Sequence, residues 1–138
     1  MKDLFHSLHP VTAIAPVSVS DNTPLVSAVI DRQGFDSVSF VILTGSLADA
    51  DASFAALLEE SSNGTDFAAV AAADLLGTAA LAGFTFADDN ETRKLGYIGA
   101  KRYLRLTVTP SGNASAALIA AVALLGHPAL SPTANPPV

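Results

Sequence analysis

Two histidines and an aspartate near the start of the chain are residue types that bind transition metals. His6 and His9 are three residues apart, and Asp3 lies three residues before His6. On one helical turn the two imidazoles would face the same side, where a carboxylate could complete a metal site. No further ligand-type residue lies close to them in sequence, so we interpret these histidines as surface residues. We predict that the protein binds no metal and no other cofactor.

Two acidic clusters could supply oxygen ligands to calcium. Asp49 and Asp51 flank one alanine, and residues 88–91 read Asp-Asp-Asn-Glu. Neither cluster has the alternating acids, followed by a glutamate at the twelfth position, that are typical of calcium-binding loops. Polar turns at strand ends explain both clusters.

The sequence contains no pattern typical of nucleophilic catalysis or phosphate binding. The chain has no cysteine, and Ser46 follows a glycine but lacks the second glycine of a Gly-x-Ser-x-Gly turn. Glu59 and Glu60 would point to opposite faces of a strand, so they could not share a substrate. We predict that the protein is not an enzyme.

Basic residues are concentrated in one segment. Five of the seven Lys and Arg residues lie within thirteen positions, and they are Arg93, Lys94, Lys101, Arg102 and Arg105. If residues 94–98 and 102–106 form a hairpin, these bases gather on one edge or face. Such charges can prevent unwanted edge pairing, or they can contact the acidic part of an identical neighbour. The sequence leaves both interpretations open.

Length and composition exclude several classes of protein. The chain has 138 residues, a net charge of -6, 50% hydrophobic residues and 14% charged residues. This composition is typical of one folded domain and not of a disordered chain. The negative charge argues against nucleic acid as a partner, and the longest apolar segment, residues 116–126, is too short to span a bilayer. We therefore expect no nucleic-acid or membrane partner, and synthesis in the cytoplasm.

Short segments rich in β-branched and aromatic residues alternate with turn residues along the chain. Strands are predicted at residues 11–19, 25–30, 38–44, 53–60, 67–71, 83–86, 94–98, 103–109 and 117–125. Residues 99–101 and 110–113 resemble tight hairpin turns. Alanine-rich segments favour helix, but turn residues cut them short, so at most one short helix is expected, near residues 74–77. The pattern predicts an all-β fold, a single antiparallel β-sandwich or barrel that is jelly-roll-like.

The chain divides into three zones. Residues 1–24 are predicted to form an N-terminal arm with an edge strand that Pro16 interrupts, residues 25–126 the β-sandwich body, and residues 127–138 a proline-rich extended tail. The predicted core comprises Val29, Phe40, Ile42, Phe54, Leu57, Phe84, Phe86, Leu104, Leu106, Val108 and Ile119.

Several segments together resemble a family of small virion proteins that are encoded near the capsid genes of tailed bacteriophages and prophages. The segments are residues 30–51, Asp74-Leu-Leu-Gly, Phe84-Thr-Phe-Ala-Asp-Asp-Asn, residues 94–110 and Leu125-Gly-His-Pro. The resemblance covers about residues 25–135 and consists of strands and turns, without catalytic residues. It implies a capsid decoration (cement) protein on the capsid exterior, which stabilises the head by bridging capsomers.

The resemblance also implies partners. They are the major capsid protein or other virion proteins, together with identical copies in a homo-oligomer, for which a trimer is expected. The chain has 50% hydrophobic residues and few charged ones, and this composition favours such association. The residues expected at interfaces are Phe5, Val11, Ile14, Val17 and Leu130 on the arms, and the five clustered bases Arg93, Lys94, Lys101, Arg102 and Arg105.

Two alternative functions remain. The first is another virion component, such as a head–tail connector, a tail protein or a fibre-base protein. The second is a carbohydrate-binding β-sandwich module. Carbohydrate sites usually use exposed aromatic rings, and this chain has no tryptophan and only Tyr97 and Tyr103 as tyrosines, which argues against the second alternative.

Overall fold

Two antiparallel sheets pack face to face in an open sandwich. The computed structural model describes residues 2–137, of which 52% are strand and 7% helix. The five-stranded sheet has the order β1, β11, β4, β9, β7, which are Leu8–Val19, Ala117–Pro128, Phe35–Leu47, Thr92–Tyr97 and Leu75–Leu76. The predicted antiparallel sandwich is confirmed, and the barrel alternative does not apply.

The second sheet is built on two long strands, β5 (Ser53–Ser61) and β10 (Tyr103–Ser111), which pair along their whole length. Short strands complete it: β2 (Leu25–Val26) and β3 (Ile30–Asp31) pair with β10, and β6 (Ala68–Ala69) and β8 (Phe84–Thr85) pair with β5. We call it the second sheet throughout.

The core lies between the inward faces of the two sheets. Side chains alternate in and out along β10 and along most of β4 and β11, so every second residue is buried in residues 38–44, 104–110 and 117–125. The largest fully buried side chains are Phe40, Ile30, Ile42, Leu58, Leu95, Leu104, Leu106, Leu125 and Val108. Eight of the eleven predicted core residues are buried, namely Phe40, Ile42, Phe54, Phe84, Leu104, Leu106, Val108 and Ile119.

The other three predicted core residues are exposed. Leu57 is 42% exposed because Phe54, Ala56 and Leu58 occupy the inward positions of β5, and Leu57 has the opposite parity. Val29 precedes β3, whose Ile30 points inward instead. Phe86 follows the end of β8 and lies in a turn, so strand alternation does not carry it inward.

The N-terminal segment belongs to the sandwich and is not a separate arm. Strand β1 pairs with β11 from Leu8 to Val19, with two register shifts between Thr12 and Val17. These irregularities break the predicted alternation, so Ile14 becomes buried and Val17 is 37% exposed. Strand β1 lies at the edge of the five-stranded sheet, and Ile14, which we expected at an interface, is buried in the core at 7% exposure.

The proline-rich tail folds back over the N-terminal segment. Strand β11 continues to Pro128, beyond the predicted boundary at residue 126. The Ala129 amide donates to the Gly34 carbonyl (2.8 Å), and the Thr133 hydroxyl donates to the Leu8 carbonyl (2.7 Å). These bonds attach the tail to the body. Val138, the last residue of the predicted tail, and Met1, the first of the predicted arm, lie outside the described residues.

The turns at residues 99–101 and 110–113 cross between the sheets and do not form hairpins. Strand β9 lies in the five-stranded sheet, β10 in the second sheet and β11 again in the five-stranded sheet. Buried Tyr97 fixes the first crossing, because its hydroxyl donates to Glu60 Oε1 (2.8 Å) and accepts from the Lys101 amide (2.9 Å). Buried Asn113 fixes the second, since its side-chain amide donates to the carbonyls of Val19 and Asp21.

Helix is confined to three single turns in the described residues. Two are 3₁₀ turns, Phe5–Ser7 and Ala72–Asp74, and one is the α-helix α1, Ala79–Ala82. The short helix expected at residues 74–77 is displaced, because Thr78 caps the helix through a bond from the Leu81 amide (3.1 Å). No helix of residues 2–137 has the length and apolar character needed to cross a membrane.

The alternation in β5 predicts opposite effects for two neighbouring leucines. Leu58→Ala removes a side chain that is 2% exposed and should lower the free energy of unfolding by about 2–5 kcal/mol. Leu57→Ala is the matched control, and it should cost less than about 1 kcal/mol because its side chain faces solvent. Urea denaturation measures both values, and similar losses at the two positions would contradict the register of β5.

Burial raises the pKa of Tyr97 to about 12 from 10.0. The folded state therefore disfavours the phenolate, and the stability that this contributes is present below pH 10.0 and lost as the pH rises towards about 12. Absorbance titration at alkaline pH of the Tyr103→Phe variant follows Tyr97 alone. We expect ionisation near pH 12 in the folded variant and near about 10 in urea. Equal values in both states would show that Tyr97 is solvated.

Candidate interaction surface

The histidines near the N-terminus do not form a metal site. His6 Nδ1 lies 2.6 Å from Asp3 Oδ2 in an exposed pair, whereas the His9 ring stacks on Phe35 with 5.3 Å between centroids. Across residues 2–137, no three side chains of the His, Asp or Glu type are grouped so that they could hold a metal ion.

The two acidic clusters bind backbone amides of their own chain. Asp49 accepts hydrogen bonds from the Asp51 amide (2.9 Å) and the Ala114 amide (2.7 Å), and these bonds hold the pKa of its carboxyl below the ordinary value. Asp89 accepts from the Leu47 amide (3.0 Å). The carboxylates thus fix turns at strand ends, as the sequence interpretation proposed.

The clustered arginines form ion pairs within the chain. Because β9 and β10 lie in different sheets, the predicted basic hairpin does not exist. Nitrogen–oxygen distances are 2.8–3.0 Å in the pairs Arg93–Asp88, Arg93–Glu91, Arg102–Asp31 and Arg105–Glu59. The Arg105 guanidinium also lies over the Phe67 ring, 4.2 Å from its centroid. These guanidinium groups already have acidic partners, so they are not free charges for the acidic part of a neighbour.

The remaining predicted interface residues occupy different parts of the surface. Lys94 and Lys101 are exposed, and within the described chain neither forms a salt bridge. Phe5 and Leu130 are 61% and 86% exposed on the two terminal segments. Val11 is half-buried in β1.

The outer face of the five-stranded sheet is apolar along its two central strands. The side chains that alternate with the buried ones of β4 and β11 point outward, and we call them the apolar face: Val41, Leu43, Leu118, Ala120, Val122 and Leu124. Leu43 and Leu118 are 52% and 46% exposed, and the others are half-buried. Lys94, opposite Val41 on β9, is a charged neighbour at the margin of this face.

The second sheet has a mixed outer face, on which the exposed Leu57 and Val26 lie among polar and charged side chains. Its outward cross-strand pairs are Arg105 with Glu59, Thr107 with Leu57 and Thr109 with Ala55. The two outer faces of the sandwich therefore differ, since solvent-facing sheets usually alternate apolar inward and polar outward residues. The apolar face departs from that pattern.

A groove of about 1210 Å³ deepens one end of the apolar face. Its lining includes Ser37, Ser39, Gly96 and Gly126, where side chains are small or absent. A Cβ atom on Gly126 would lie 2.7 Å from the Ser37 hydroxyl, so the Ser37 side chain lies close over this glycine. Leu124 lines the same groove, and a smaller depression of about 540 Å³ lies beside Leu43 and Leu118 at the other end.

We did not predict this face, although the sequence contains a pattern that is typical of it. Residues 38–43 and 117–125 are almost continuously apolar, without the polar residues that a half-solvated strand would have. Such runs are typical of strands that are covered on both faces. The structure covers only the inner face with the second sheet.

Comparisons with known proteins show a shared fold. No protein-family model matches the chain, and no curated protein matches its sequence. Among solved structures, the chain is similar to the PBSX exported protein XepA, with a TM-score of 0.56 and 15% identity over 85% of this chain and 36% of that one. The chain is also similar to a structure of infectious bursal disease virus, Gx strain, with a TM-score of 0.50 and 10% identity over 91% of this chain and 35% of that one.

A third similar structure is the xylan-binding module CBM15, with a TM-score of 0.42 and 13% identity over 93% of this chain and 95% of that one. This chain spans only 36% and 35% of the XepA and bursal disease virus chains. At these identities the likeness concerns the β-sandwich fold: the chain shares its architecture with a phage protein and with a viral particle protein.

Proposed function

We propose that this chain is a non-enzymatic virion protein of a tailed bacteriophage, and specifically a decoration protein on the capsid exterior. The observation that carries the proposal is the backbone likeness to the PBSX exported protein over 85% of this chain.

A structural role fits the state of the polar groups. The acidic clusters cap turns, and the clustered arginines neutralise acids of the same chain. The surfaces that stand out are apolar, which suits binding to another protein.

The terminal segments provide a surface for the capsid. Leu4, Phe5 and Leu130 are 68%, 61% and 86% exposed, and we call them the terminal patch. The segments that carry them are joined, because the Thr133 amide donates to the His6 carbonyl (3.0 Å). An anchored patch loses less conformational entropy on docking than a free arm does. In this proposal the terminal patch contacts the major capsid protein.

The location of the protein is the primary test. Particles purified from cells that produce this chain are labelled with an antibody against the recombinant protein and imaged intact. The proposal predicts label on the outside of the heads. Label on the tail or on its junction with the head would refute the decoration role and favour the alternative virion component. Purified particles without the chain would refute both.

Substitutions in the terminal patch test the docking surface. Phe5→Asp combined with Leu130→Asp should reduce the amount bound to heads stripped of the protein by roughly tenfold or more, since charge replaces apolar contacts. Val26→Asp is the control, because Val26 is 55% exposed on the second sheet. Equal binding of both variants would exclude the terminal patch as the anchor.

Removal of residues 1–20 is unsuitable for this purpose. It would delete strand β1 and with it Ala13, Ile14 and Val19, which are 5–7% exposed in the core. The loss of binding that would follow could arise from unfolding. Point substitutions at exposed residues avoid that ambiguity.

A further inference from the structure

We propose that the apolar face binds the apolar face of a second copy of this chain, about a two-fold axis that runs parallel to the strands between β4 and β11. This inference goes beyond the proposed function, because it concerns the isolated protein in solution and does not depend on where the protein lies in a particle.

The apolar face has the size that a stable pair needs. Residues 37–45 of β4 and 118–126 of β11 each span about 30 Å, and the four strands β1, β11, β4 and β9 span about 19 Å across. The flat face therefore measures about 600 Å² in each copy. Two such faces bury about 1,200 Å², which is the lower limit of standard-size interfaces.

The register of β4 and β11 makes the face complementary to itself. Along the central rows a large side chain stands opposite a small one: Leu124 opposite Ser39, Leu43 opposite Ala120, and Leu118 beside Gly45. At the centre Val41 stands opposite Val122. A two-fold rotation between the strands places each large side chain of one copy over the small partner of the other. Two sheets can then interdigitate as they do in a sandwich core.

In this arrangement, a side chain of the second copy enters the groove. Ser39 is part of the groove lining, and Leu124 of the second copy lies above it. Both copies contribute the same contact, as a two-fold interface requires. The pair thus fills, in each copy, part of the space that is open in the single chain.

Charges do not oppose the pairing. The six residues of the apolar face carry no charge, and the charged residues beside it lie at its margin, namely Lys94 on β9 and Lys2, Asp3 and Arg93 in the lining of the groove. Lys94 lies in the row of Val41 and Val122, and Thr12 of β1 lies at the other end of that row. The two-fold axis places Lys94 over Thr12 of the second copy and keeps the two lysines apart.

Sedimentation equilibrium tests the pairing with a charge at its centre. The wild-type protein should be a dimer, and Val122→Lys should raise the Kd by about a hundredfold or more, because each copy then buries an unpaired lysine. Leu57→Lys is the control on the second sheet and should leave the Kd unchanged. Circular dichroism verifies folding, and Leu43→Lys, at a 52% exposed site, serves if Val122→Lys fails to fold.

A wild-type monomer at all soluble concentrations would overturn the proposal. So would a dimer or trimer whose Kd is the same in Val122→Lys and Leu43→Lys as in wild type. A trimer of any stability would also overturn it, because a three-fold ring joins two different patches of each chain and does not place the same patch of two copies face to face.

Cysteine crosslinking tests the orientation, because the chain has no cysteine. Mixing the single variants Ser39→Cys and Leu124→Cys under oxidising conditions should give disulfide-linked dimers faster than either variant alone. Mixing Ser39→Cys with Leu43→Cys is the control, since a two-fold axis perpendicular to the strands would bring those two positions together. Faster linkage in this control mixture would overturn the proposed arrangement.

Discussion

The pairing of β4 with β11 is the interaction on which the rest of the structure depends. These strands run antiparallel from Phe35 with Pro128 to Leu47 with Ala117, and they hold β9 on one side and β1 on the other. Their inward residues form much of the core, including Phe40, Ile42 and Leu125. The same apolar composition continues on their outward side. One strand pair therefore sets both the stability of the sandwich and the character of its exposed surface.

The polar residues serve the geometry of this sandwich. Tyr97 and Asn113 fix the two points where the chain crosses from one sheet to the other, and Asp49 and Asp89 hold the turns at strand ends. Ion pairs on the surface, such as Arg102 with Asp31, join neighbouring segments and contribute little each. The chain also exposes large apolar side chains. The terminal patch and the apolar face are two surfaces with such side chains, and they lie on different groups of residues.

Much of the fold follows from local sequence patterns, whereas sheet membership does not. Strands at residues 38–44 and 103–109 are evident because segments rich in β-branched and aromatic residues end at turn residues. The residue types in the turns after β9 and β10 are compatible both with a hairpin and with a crossing to the opposite sheet. The sequence does not distinguish the two, and the prediction of hairpins was wrong. Leu57 was misplaced because its neighbours on both sides are apolar. The apolar face was not predicted, because an apolar run in the sequence does not show which face of the strand is covered.

In the proposed dimer, the apolar face of each chain is covered by that of the other copy. Methyl NMR during dilution tests it most directly, because each side chain is observed separately. We expect the methyl resonances of Val41, Val122, Leu118 and Leu124 to shift or broaden as the protein concentration falls. The positions and widths of the Leu57 and Val26 resonances, on the second sheet, should remain constant. Resonances of the apolar face that are independent of concentration in a monomeric protein, or shifts confined to the second sheet, would contradict it.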